Sequence, residues 1–313
     1  MKALFIICNN PSLDLVGYHF FNYLKQNYKI LVKNIDAKGN IESYQLKNDE
    51  HEFHFMITKK HVMHNFNEFV DYLNEQYHDI DICVHVNYHE GENALDNILT
   101  VHSVGDIQSG TFLPTMPKEA TRLLLELQKH NYLLDLNFKV TTETTHYSGV
   151  ISGNKAQELY RFKKPTYDLE IGSSPAAYEN PLAIKALCLS IFNIFNLDFD
   201  TRLNVLYLGG TFFEDTLNEA ILRKNYPIYY DHHLAASFIE DANYYENGLG
   251  YIEDIIKKSF QTVDLIVYHD KVRKIKPILD IITNKYGIPS IKHRVLRNIE
   301  EHDEIVQLYR NKL

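Results

Sequence analysis

Short apolar runs alternate with amphipathic segments along most of the chain. The apolar runs predict strands, and segments whose apolar residues recur every three to four positions predict helices. Strands are predicted over Ala3–Ile7, Tyr28–Asn34, Phe53–Thr58, Ile80–Val86, Phe138–Thr142, Thr166–Ile171, Leu203–Leu208, Leu265–Tyr268 and Ile288–Lys292. Helices are predicted over Asp14–Asn27, Asn65–Gln76, Lys118–His130, Asn180–Phe195, Gly250–Ser259 and Ile275–Tyr286, with Asn180 as the N-cap before Pro181.

This alternation predicts an α/β fold with a mixed or mostly parallel sheet flanked by helices. Within it we predict a core over residues 79–250. Residues 1–78 together with residues 251–313 would form a flanking α/β subdomain. The alternative is that the whole chain forms one compact unit.

Two polar interruptions of apolar runs mark the candidate site. The segment Thr142–His146 ends one predicted strand, and Glu170 lies inside another that leads into Gly172-Ser173-Ser174. Strand interiors rarely hold Glu, because an ionised carboxylate without partners is costly to desolvate. Sites in α/β sheets lie at the carboxyl ends of strands. We therefore expect a site built on the ends of adjacent strands, with Gly209-Gly210 closing a third.

Composition and charge narrow the classes of function. The formal net charge of −9 over 313 residues argues against a protein that coats nucleic acid in general, although residues 161–164 and 271–276 form local basic patches. Without an apolar run of about 18 residues, no transmembrane helix is expected. The apolar N-terminus predicts a first buried strand rather than a signal peptide. Cys8, Cys83 and Cys188 lie far apart in apolar runs, as expected of buried thiols in a cytoplasmic protein.

Several motifs resemble those of the archaeal and plant-type D-aminoacyl-tRNA deacylases. Leu99–Asp106 is similar to the family's Leu-Thr-Thr-His-Val-Thr-Gly-Asn, and Glu143–His146 matches three positions of its Glu-Ala-Thr-His. Leu169–Ser174 agrees almost fully with its Glu-Ile-Gly-Ser-Ser segment, and Leu208-Gly209-Gly210 matches the start of its Gly-Gly-Gly-His-Tyr-Ala-Pro-Lys run. The resemblance covers about Ile80 to Lys292. It implies a core similar to those of nucleoside phosphorylases and peptidyl-tRNA hydrolases.

The chain departs from the family pattern at two places. The second His of the family's His-His-Gly-Pro segment is Tyr147 here. After Gly210, the family's Gly-His-Tyr-Ala-Pro-Lys is replaced by Thr211–Thr216, so that a Phe stands where the family has an imidazole and a Thr where it has a cation. His232 or His233 could supply the missing imidazole.

The resemblance implies roles for individual residues. His102 and His146 would be the catalytic polar pair, with Glu143 or Glu170 orienting an imidazole or binding the α-ammonium group of the substrate. Thr145, Gly172, Ser173, Gly209, Gly210 and Thr211 would bind substrate, the glycines through backbone N–H groups that a phosphate or an oxyanion can approach. The alternative for each histidine is a structural role, bonded to backbone.

Zinc is a hypothesis that the 16 histidines allow, with His102, His146 and His232 as candidate ligands. A zinc site could also be formed by a pair such as His85 and His89, or His232 and His233, together with an acidic residue. No spacing is diagnostic: the positions 85 and 89 suggest one face of a helix, whereas the run around them predicts a strand.

Two functions follow. The first is a hydrolase that cleaves the ester between a D-amino acid and the tRNA 3′ end, or a related small aminoacyl ester. The second is a repurposed, non-catalytic member that binds an aminoacyl-nucleotide or another small ligand, since Phe212, Glu214 and Asp215 replace a polar and cationic loop and would repel phosphate. A weaker third is phosphorylase-like or peptidyl-tRNA-hydrolase-like chemistry, which fold similarity alone does not establish.

Overall fold

Strands and helices alternate along the chain in a computed structural model that describes residues 1–36, 39–48, 50–91, 94–196, 202–222, 228–241, 244–272, 275–298 and 307–308. The strands are β1 (Lys2–Cys8), β2 (Leu31–Ile35), β3 (Ile41–Lys47), β4 (Glu52–Thr58), β5 (Ile82–His89), β6 (Asn97–Ser103), β7 (Gly105–Asp106), β8 (Thr111–Phe112), β9 (Lys139–Thr142), β10 (Thr166–Ser173), β11 (Leu203–Leu208), β12 (Ile228–Leu234), β13 (Leu265–Tyr268) and β14 (Ser290–Lys292). The helices are α1 (Leu15–Asn27), α2 (Phe66–Gln76), α3 (Pro117–Leu133), α4 (Pro175–Tyr178), α5 (Pro181–Ile191), α6 (Asp215–Leu222), α7 (Ala236–Asp241), α8 (Tyr244–Lys258) and α9 (Ile275–Tyr286).

Two main sheets organise these elements. The larger has eight strands in the order β2-β3-β4-β1-β5-β10-β6-β9, and the smaller has four in the order β12-β11-β13-β14. All pairs in the smaller sheet are parallel, whereas the larger sheet is mixed, with β10 parallel to β5 and antiparallel to β6. The predicted α/β class with a mixed sheet flanked by helices is thereby confirmed.

Each sheet is covered on both faces. Alternate residues of the large sheet, such as Phe5 and Ile7, enter a core shared with α1, α3, α5 and the smaller sheet, while Leu4 and Ile6 face a second core formed with α2. A third core joins the outer face of the smaller sheet to α8 and α9. Helix α3 contacts both β6 and β12, so one continuous apolar layer connects the two sheets.

The division at residues 78 and 250 stays a prediction. Strands β1 and β4, from the proposed flanking unit, pair within the same sheet as β5 and β10 of the proposed core. Likewise, β13 and β14 extend the sheet that begins with β11 and β12.

Five strands have no counterpart among the sequence predictions, namely β3, β6, β12 and the two-residue strands β7 and β8. Strand β6 mixes apolar residues with Thr100, His102 and Ser103, and β12 carries three consecutive polar residues from Asp231 to His233. Buried polar side chains break the apolar runs by which such strands are recognised. No helix of the described chain is long and apolar enough to cross a membrane.

The N-cap of α5 is present as predicted. The side chain of Asn180 accepts hydrogen bonds from the backbone N–H groups of Leu182 and Ala183, at 2.9 and 3.2 Å. We expect Asn180→Ala to lower the free energy of unfolding by about 1 kcal/mol, because two N–H groups at the start of the helix lose their partner. Chemical denaturation measures this change. Asn27→Ala, which removes only an exposed bond to the Tyr23 carbonyl, is the control and should change stability by less. Equal effects of the two substitutions would contradict the capping role.

Candidate functional site

The site is built on one face of three neighbouring strands. Asp168 of β10 lies between His85 of β5 and His102 of β6, and Glu170 lies between Asn87 and Thr100. The intervening residues of β10, including Leu169, point to the opposite face and into the apolar core. Period-two alternation therefore gives this stretch of sheet one apolar face and one polar face.

Glu143 extends the polar face past β6. It directly follows Thr142, the last residue of β9, which pairs with Val101. The next residues continue beside β6, where His146 forms a bridge with Val104. Glu143 and the segment that ends in His146 are thus brought against His102, as the sequence predicts.

The two predicted catalytic imidazoles stack on each other. The ring centroids of His102 and His146 lie 3.9 Å apart, at an interplanar angle of 22°. Nδ1 of His102 contacts the Ser103 carbonyl at 3.1 Å, and Nδ1 of His146 contacts the Thr144 carbonyl at 2.9 Å. Since a carbonyl can only accept, each Nδ1 carries a hydrogen and donates it to the carbonyl.

Nε2 of His102 faces two acids. It lies 3.5 Å from Oδ2 of Asp168 and 3.8 Å from Oε1 of Glu170, and both His102 and Asp168 are buried. Burial raises the pKa of Asp168 to about 7. Burial, together with the adjacent His102 ring, lowers the pKa of His146 to about 3, so His146 is neutral at physiological pH.

His89 joins the site from the end of β5. Its Nε2 lies 3.4 Å from Oε2 of Glu143, and its Nδ1 lies 2.8 Å from Oγ of Ser173. Gly172 makes this position available, since a Cβ there would come within 2.7 Å of the His89 Cβ. The predicted residues Gly172 and Ser173 therefore hold His89 in place, and Ser173 reaches the site through that ring.

Glu143 and Glu170 hold opposite protonation states. Burial raises the pKa of Glu170 well above its usual range, and the neighbouring Glu143 carboxylate raises it further. Burial also opposes ionisation of Glu143, but its contact with His89 and the neighbouring His102 and His146 rings lower its pKa overall. Burial lowers the pKa of His89, yet the Glu143 carboxylate outweighs it and leaves that pKa raised. The site thus combines an ionised Glu143, a protonated Glu170 and a His89 whose pKa is raised.

A cavity of about 740 Å³ opens on this face. His146, Glu170, Thr145 and His89 line its inner wall, and Glu90 and Asp106 add further carboxyl groups. Four aromatic side chains complete the wall, namely Tyr88, Tyr147, Phe212 and Phe213. No Lys or Arg is among the lining residues in the described part of the chain. The cavity therefore favours a cationic or neutral group with apolar surface over a phosphate.

The turn Gly209–Thr211 lies away from the cavity wall. Backbone N–H groups of Gly209 and Thr211 donate to the Leu234 carbonyl at 2.7 Å and to Oε2 of Glu214 at 3.0 Å. Gly210 has a φ of +76° and packs against Glu214. Of the two glycines expected to offer N–H groups here, Gly209 is thus engaged within the protein, as is Thr211, and none of the three residues lines the cavity.

The loop that follows does reach the cavity. Phe212 lies with its ring centroid 5.4 Å from that of His146 and 6.3 Å from that of His89. The family's imidazole is thus replaced by an apolar ring at the wall itself. Tyr147 donates to the Met63 carbonyl at 3.2 Å and also lines the cavity.

His232 does not line the cavity but contacts Thr145, which does. Its Nδ1 contacts Oγ1 of Thr145 at 3.0 Å and Oγ of Ser103 at 2.9 Å, and its ring is buried. His233 contacts the Gly209 carbonyl through Nε2 at 3.1 Å. Neither ring lines the cavity, so neither stands in for the imidazole that the family has after its glycines.

A metal ion fits the predicted pair together with Glu143. One candidate ligand atom from each of His102, Glu143 and His146 lies within 4.8 Å of the other two, whereas His232 is outside this set. Several buried atoms here have no hydrogen-bond partner: Nε2 of His102, both carboxylate oxygens of Glu143, both of Asp168, and Oε2 of Glu170. Two imidazoles and a carboxylate are a donor set that suits zinc.

Asp168 is not among the sequence-predicted site residues, and His89 is among them only as a possible zinc ligand. Both follow the period of two that places Glu170 on the polar face, because residues 85, 87 and 89 share one face of β5. The expectation that His85 and His89 could share a face only on a helix is wrong, since positions i and i+4 also share a face of a strand.

The expected placement of two site segments at one edge of the sheet also needs correction. Glu143 leaves β9 and Ser173 ends β10, yet these strands run in opposite directions, so the two segments do not leave the sheet at the same edge.

The basic patch at residues 161–164 is largely engaged within the protein. Arg161 pairs with Asp71 and with Glu158, and Nζ of Lys164 donates to the Ile80 carbonyl at 2.8 Å. The patch at 271–276 includes residues 273 and 274, which lie outside the described residues.

Comparisons with known proteins give the family. The family model described as D-aminoacyl-tRNA deacylase matches residues 76–304. A solved structure titled as a conserved protein of unknown function, AF0625, has a TM-score of 0.75 at 17% identity, covering 95% of this chain and 96% of that one. No curated protein matches this chain.

Two other solved structures are similar over a smaller part. A 5′-methylthioadenosine/S-adenosylhomocysteine nucleosidase from Colwellia psychrerythraea has a TM-score of 0.37 at 16% identity, over 63% of this chain and 95% of that one. A peptidyl-tRNA hydrolase from Acinetobacter baumannii has a TM-score of 0.31 at 13% identity, over 62% and 83%. At these scores neither bears on the chemistry of the site.

The contact between His89 and Glu143 can be tested by titration. We expect Glu143→Gln to lower the pKa of His89, because burial continues to oppose the charged ring once the carboxylate is gone. NMR of the histidine ring signals against pH measures this. Glu90→Gln is the control, since Glu90 lines the same cavity without contributing to the His89 shift. An unchanged His89 pKa in Glu143→Gln would refute the ion pair.

Proposed function

The chain belongs to the D-aminoacyl-tRNA deacylase family, and on that basis we propose that it hydrolyses the ester between a D-amino acid and the 3′ end of tRNA. The observation that carries this proposal is that His146 and Glu170 line a cavity whose described wall holds no Lys or Arg, with a carboxylate oxygen of the buried Glu143 within 4.8 Å of a ring nitrogen of His146. Hydrolysis of an ester needs an activated water and a donor for the developing negative charge. The opposite protonation states of the two glutamates and the neutral His146 meet both needs.

His146 is suited to hold a water molecule. Its Nδ1–H is held by the Thr144 carbonyl and its ring is neutral, so the lone pair on Nε2 is available to accept a hydrogen bond from water. Glu170, which keeps its proton, can donate a hydrogen bond to the oxyanion or to the departing 3′ oxygen. The contact between His89 and Glu143 fixes the position of the Glu143 carboxylate.

A second form of the same site would contain zinc, held by His102, Glu143 and His146. A zinc ion bound there would polarise the ester carbonyl and lower the pKa of a bound water. In that arrangement Nε2 of His146 is a ligand, and Glu170 remains the group that carries a proton. Chelation separates these alternatives, since only one of them loses activity when metal is removed.

The charge of the cavity favours the amino-acid end of the substrate. Glu90 and Asp106 attract an α-ammonium group, and the aromatic side chains provide apolar contact for an amino-acid side chain or a base. Because no Lys or Arg is among the described lining residues, the phosphates of the tRNA are expected to remain outside. We place the reaction in the cytoplasm, where tRNA is aminoacylated and where the three free, buried cysteines would stay reduced.

Deacylation of D-Tyr-tRNA compared with L-Tyr-tRNA tests the proposal directly. We expect selective hydrolysis of the D ester, measured by release of the amino acid, with parallel reactions containing added zinc and a chelator. Loss of activity with the chelator and its return with zinc would support the metal-bound arrangement. No hydrolysis of either ester by the folded protein, with and without zinc, would refute the catalytic proposal.

Substitutions assign the roles. We expect His146→Ala to reduce D-specific hydrolysis by at least about 100-fold, since the water loses the group that holds it or the metal loses a ligand. Glu170→Gln should reduce kcat more than it raises KM, because the amide cannot transfer a proton. His78→Gln, an exposed histidine remote from the cavity, is the control and should leave activity unchanged. Unchanged hydrolysis in both His146→Ala and His102→Ala would mean that these roles are wrong.

A non-catalytic binding protein is the second candidate function. The observation in its favour is Phe212, which lies against His146 at the wall where the family has an imidazole. A stable analogue in which an amide replaces the ester, D-tyrosyl-3′-amido-adenosine, distinguishes the two candidates by calorimetry. Binding of this analogue without hydrolysis of any ester would favour the second function. If the substitution Phe212→His produced hydrolysis, the absence of an imidazole at position 212 would be the reason that this chain does not hydrolyse the ester.

A further inference from the structure

A second cluster of metal-ligating side chains lies at the carboxyl edge of the smaller sheet. Strand β13 ends at Tyr268 and β14 ends at Lys292, and these two residues are paired partners. The next residues along the chain, His269 and His293, therefore leave the sheet side by side. Their ring centroids lie 3.8 Å apart at an interplanar angle of 13°.

Asp270 faces both rings. Its Oδ1 lies 4.0 Å from Nδ1 of His269 and 4.0 Å from Nδ1 of His293. Nζ of Lys292 lies 3.6 Å from the other oxygen, Oδ2. The two carboxylate oxygens of Asp270 therefore face different partners: Oδ2 faces the lysine, and Oδ1 faces the two imidazoles.

One atom of this cluster is left without a partner. Nδ1 of His293 is buried and has no hydrogen bond, although its side chain lies beside a carboxylate. A buried imidazole nitrogen without a partner is costly. His102 in the cavity site shows the same combination, namely a stacked histidine pair, a nearby carboxylate and a buried nitrogen without a partner.

We propose that His269, Asp270 and His293 bind a divalent first-row metal ion of the zinc type at this edge of the sheet. One candidate ligand atom from each already lies within 4.8 Å of the other two. Two imidazoles and a carboxylate select such an ion over Mg²⁺ or Ca²⁺, which prefer oxygen ligands. None of the three residues lines the cavity, so this site does not depend on the proposed hydrolysis.

Binding requires a small rearrangement. Bonds of about 2.1 Å in a tetrahedral site place ligand atoms about 3.4 Å apart, compared with 4.0 Å here. The two rings must also turn out of their parallel stack so that both lone pairs converge. The Asp270 side chain is 38% exposed, which leaves a path for the ion to enter.

The ion would fix the turn after β11 indirectly. A Cβ at Gly209 would lie 2.5 Å from the Cβ of His269, so the His269 side chain packs directly on that turn. The ion would therefore join the ends of β13 and β14 and restrain the turn that leads to Phe212.

Counting Co²⁺ ions bound to the metal-stripped full-length protein tests the proposal, because Co²⁺ gives visible absorption in zinc-type sites. In a His89→Ala, His102→Ala, His146→Ala background, which removes at least one ligand from every candidate metal set at the cavity, we expect one remaining equivalent of Co²⁺. Addition of His269→Gln and His293→Gln should abolish it, whereas His78→Gln should not. Retention of the equivalent after both substitutions, or its absence from the background protein, would overturn the proposal.

A milder variant covers the case in which the double substitution does not fold. Asp270→Asn removes one ligand charge from a partly exposed position, and we expect it to weaken Co²⁺ binding by at least about tenfold. Unchanged Co²⁺ affinity in Asp270→Asn would count against the site. Neither readout involves ester hydrolysis, so failure of this proposal and failure of the proposed function are distinguishable.

Discussion

The structure of the site depends on how several carboxyl groups can be buried together. An isolated carboxylate loses several kcal/mol of hydration when it leaves water, and neighbouring carboxylates also repel each other. Here the cost of burial is offset differently for each acid. Glu143 lies beside His89, Asp168 lies against His102, and Glu170 keeps its proton. The arrangement therefore constrains the protonation state of every group, and it produces a neutral acid beside an ionised one.

The sheet register makes this arrangement available. Asp168 and Glu170 point to the polar face because Tyr167, Leu169 and Ile171 fill the apolar core on the other side. A shift of one residue in the pairing of β10 would bury the apolar residues in the cavity and send both acids into the core. The hydrophobic effect that packs the core thus also selects which side chains face the cavity.

Much of this could be predicted from the sequence, and the parts that could not have identifiable causes. His102, Glu143, His146 and Glu170 come together as the motif resemblance implied, and the helices and apolar strands lie close to their predicted ranges. Asp168 is not predicted, and His89 is predicted only as a possible zinc ligand, because an apolar run indicates a strand without showing which of its alternate positions face a site. The turn Gly209–Thr211 follows β11, which belongs to the smaller sheet. The sequence alone does not show to which of two sheets a strand belongs, so it did not show that this turn lies away from the cavity. Sheet membership and strand direction are set by tertiary packing, which is why the relative directions of β9 and β10 also escaped prediction.

The segment from Glu143 to His146 is the joint between the two sheets. The Thr144 N–H donates to the Phe212 carbonyl at 2.9 Å, and the Thr145 N–H donates to the His233 carbonyl at 2.6 Å. The Thr144 hydroxyl donates to that same carbonyl at 2.9 Å and accepts from the Ala235 N–H at 2.8 Å. On its other side the segment bridges to β6 through His146 and Val104. The carboxylate and imidazole of the site are therefore positioned by backbone bonds from both sheets. Because of this joint, a substitution in the smaller sheet that moves β12 or the Phe212 loop would also move Glu143 and His146, even though the cavity is built mainly on the larger sheet.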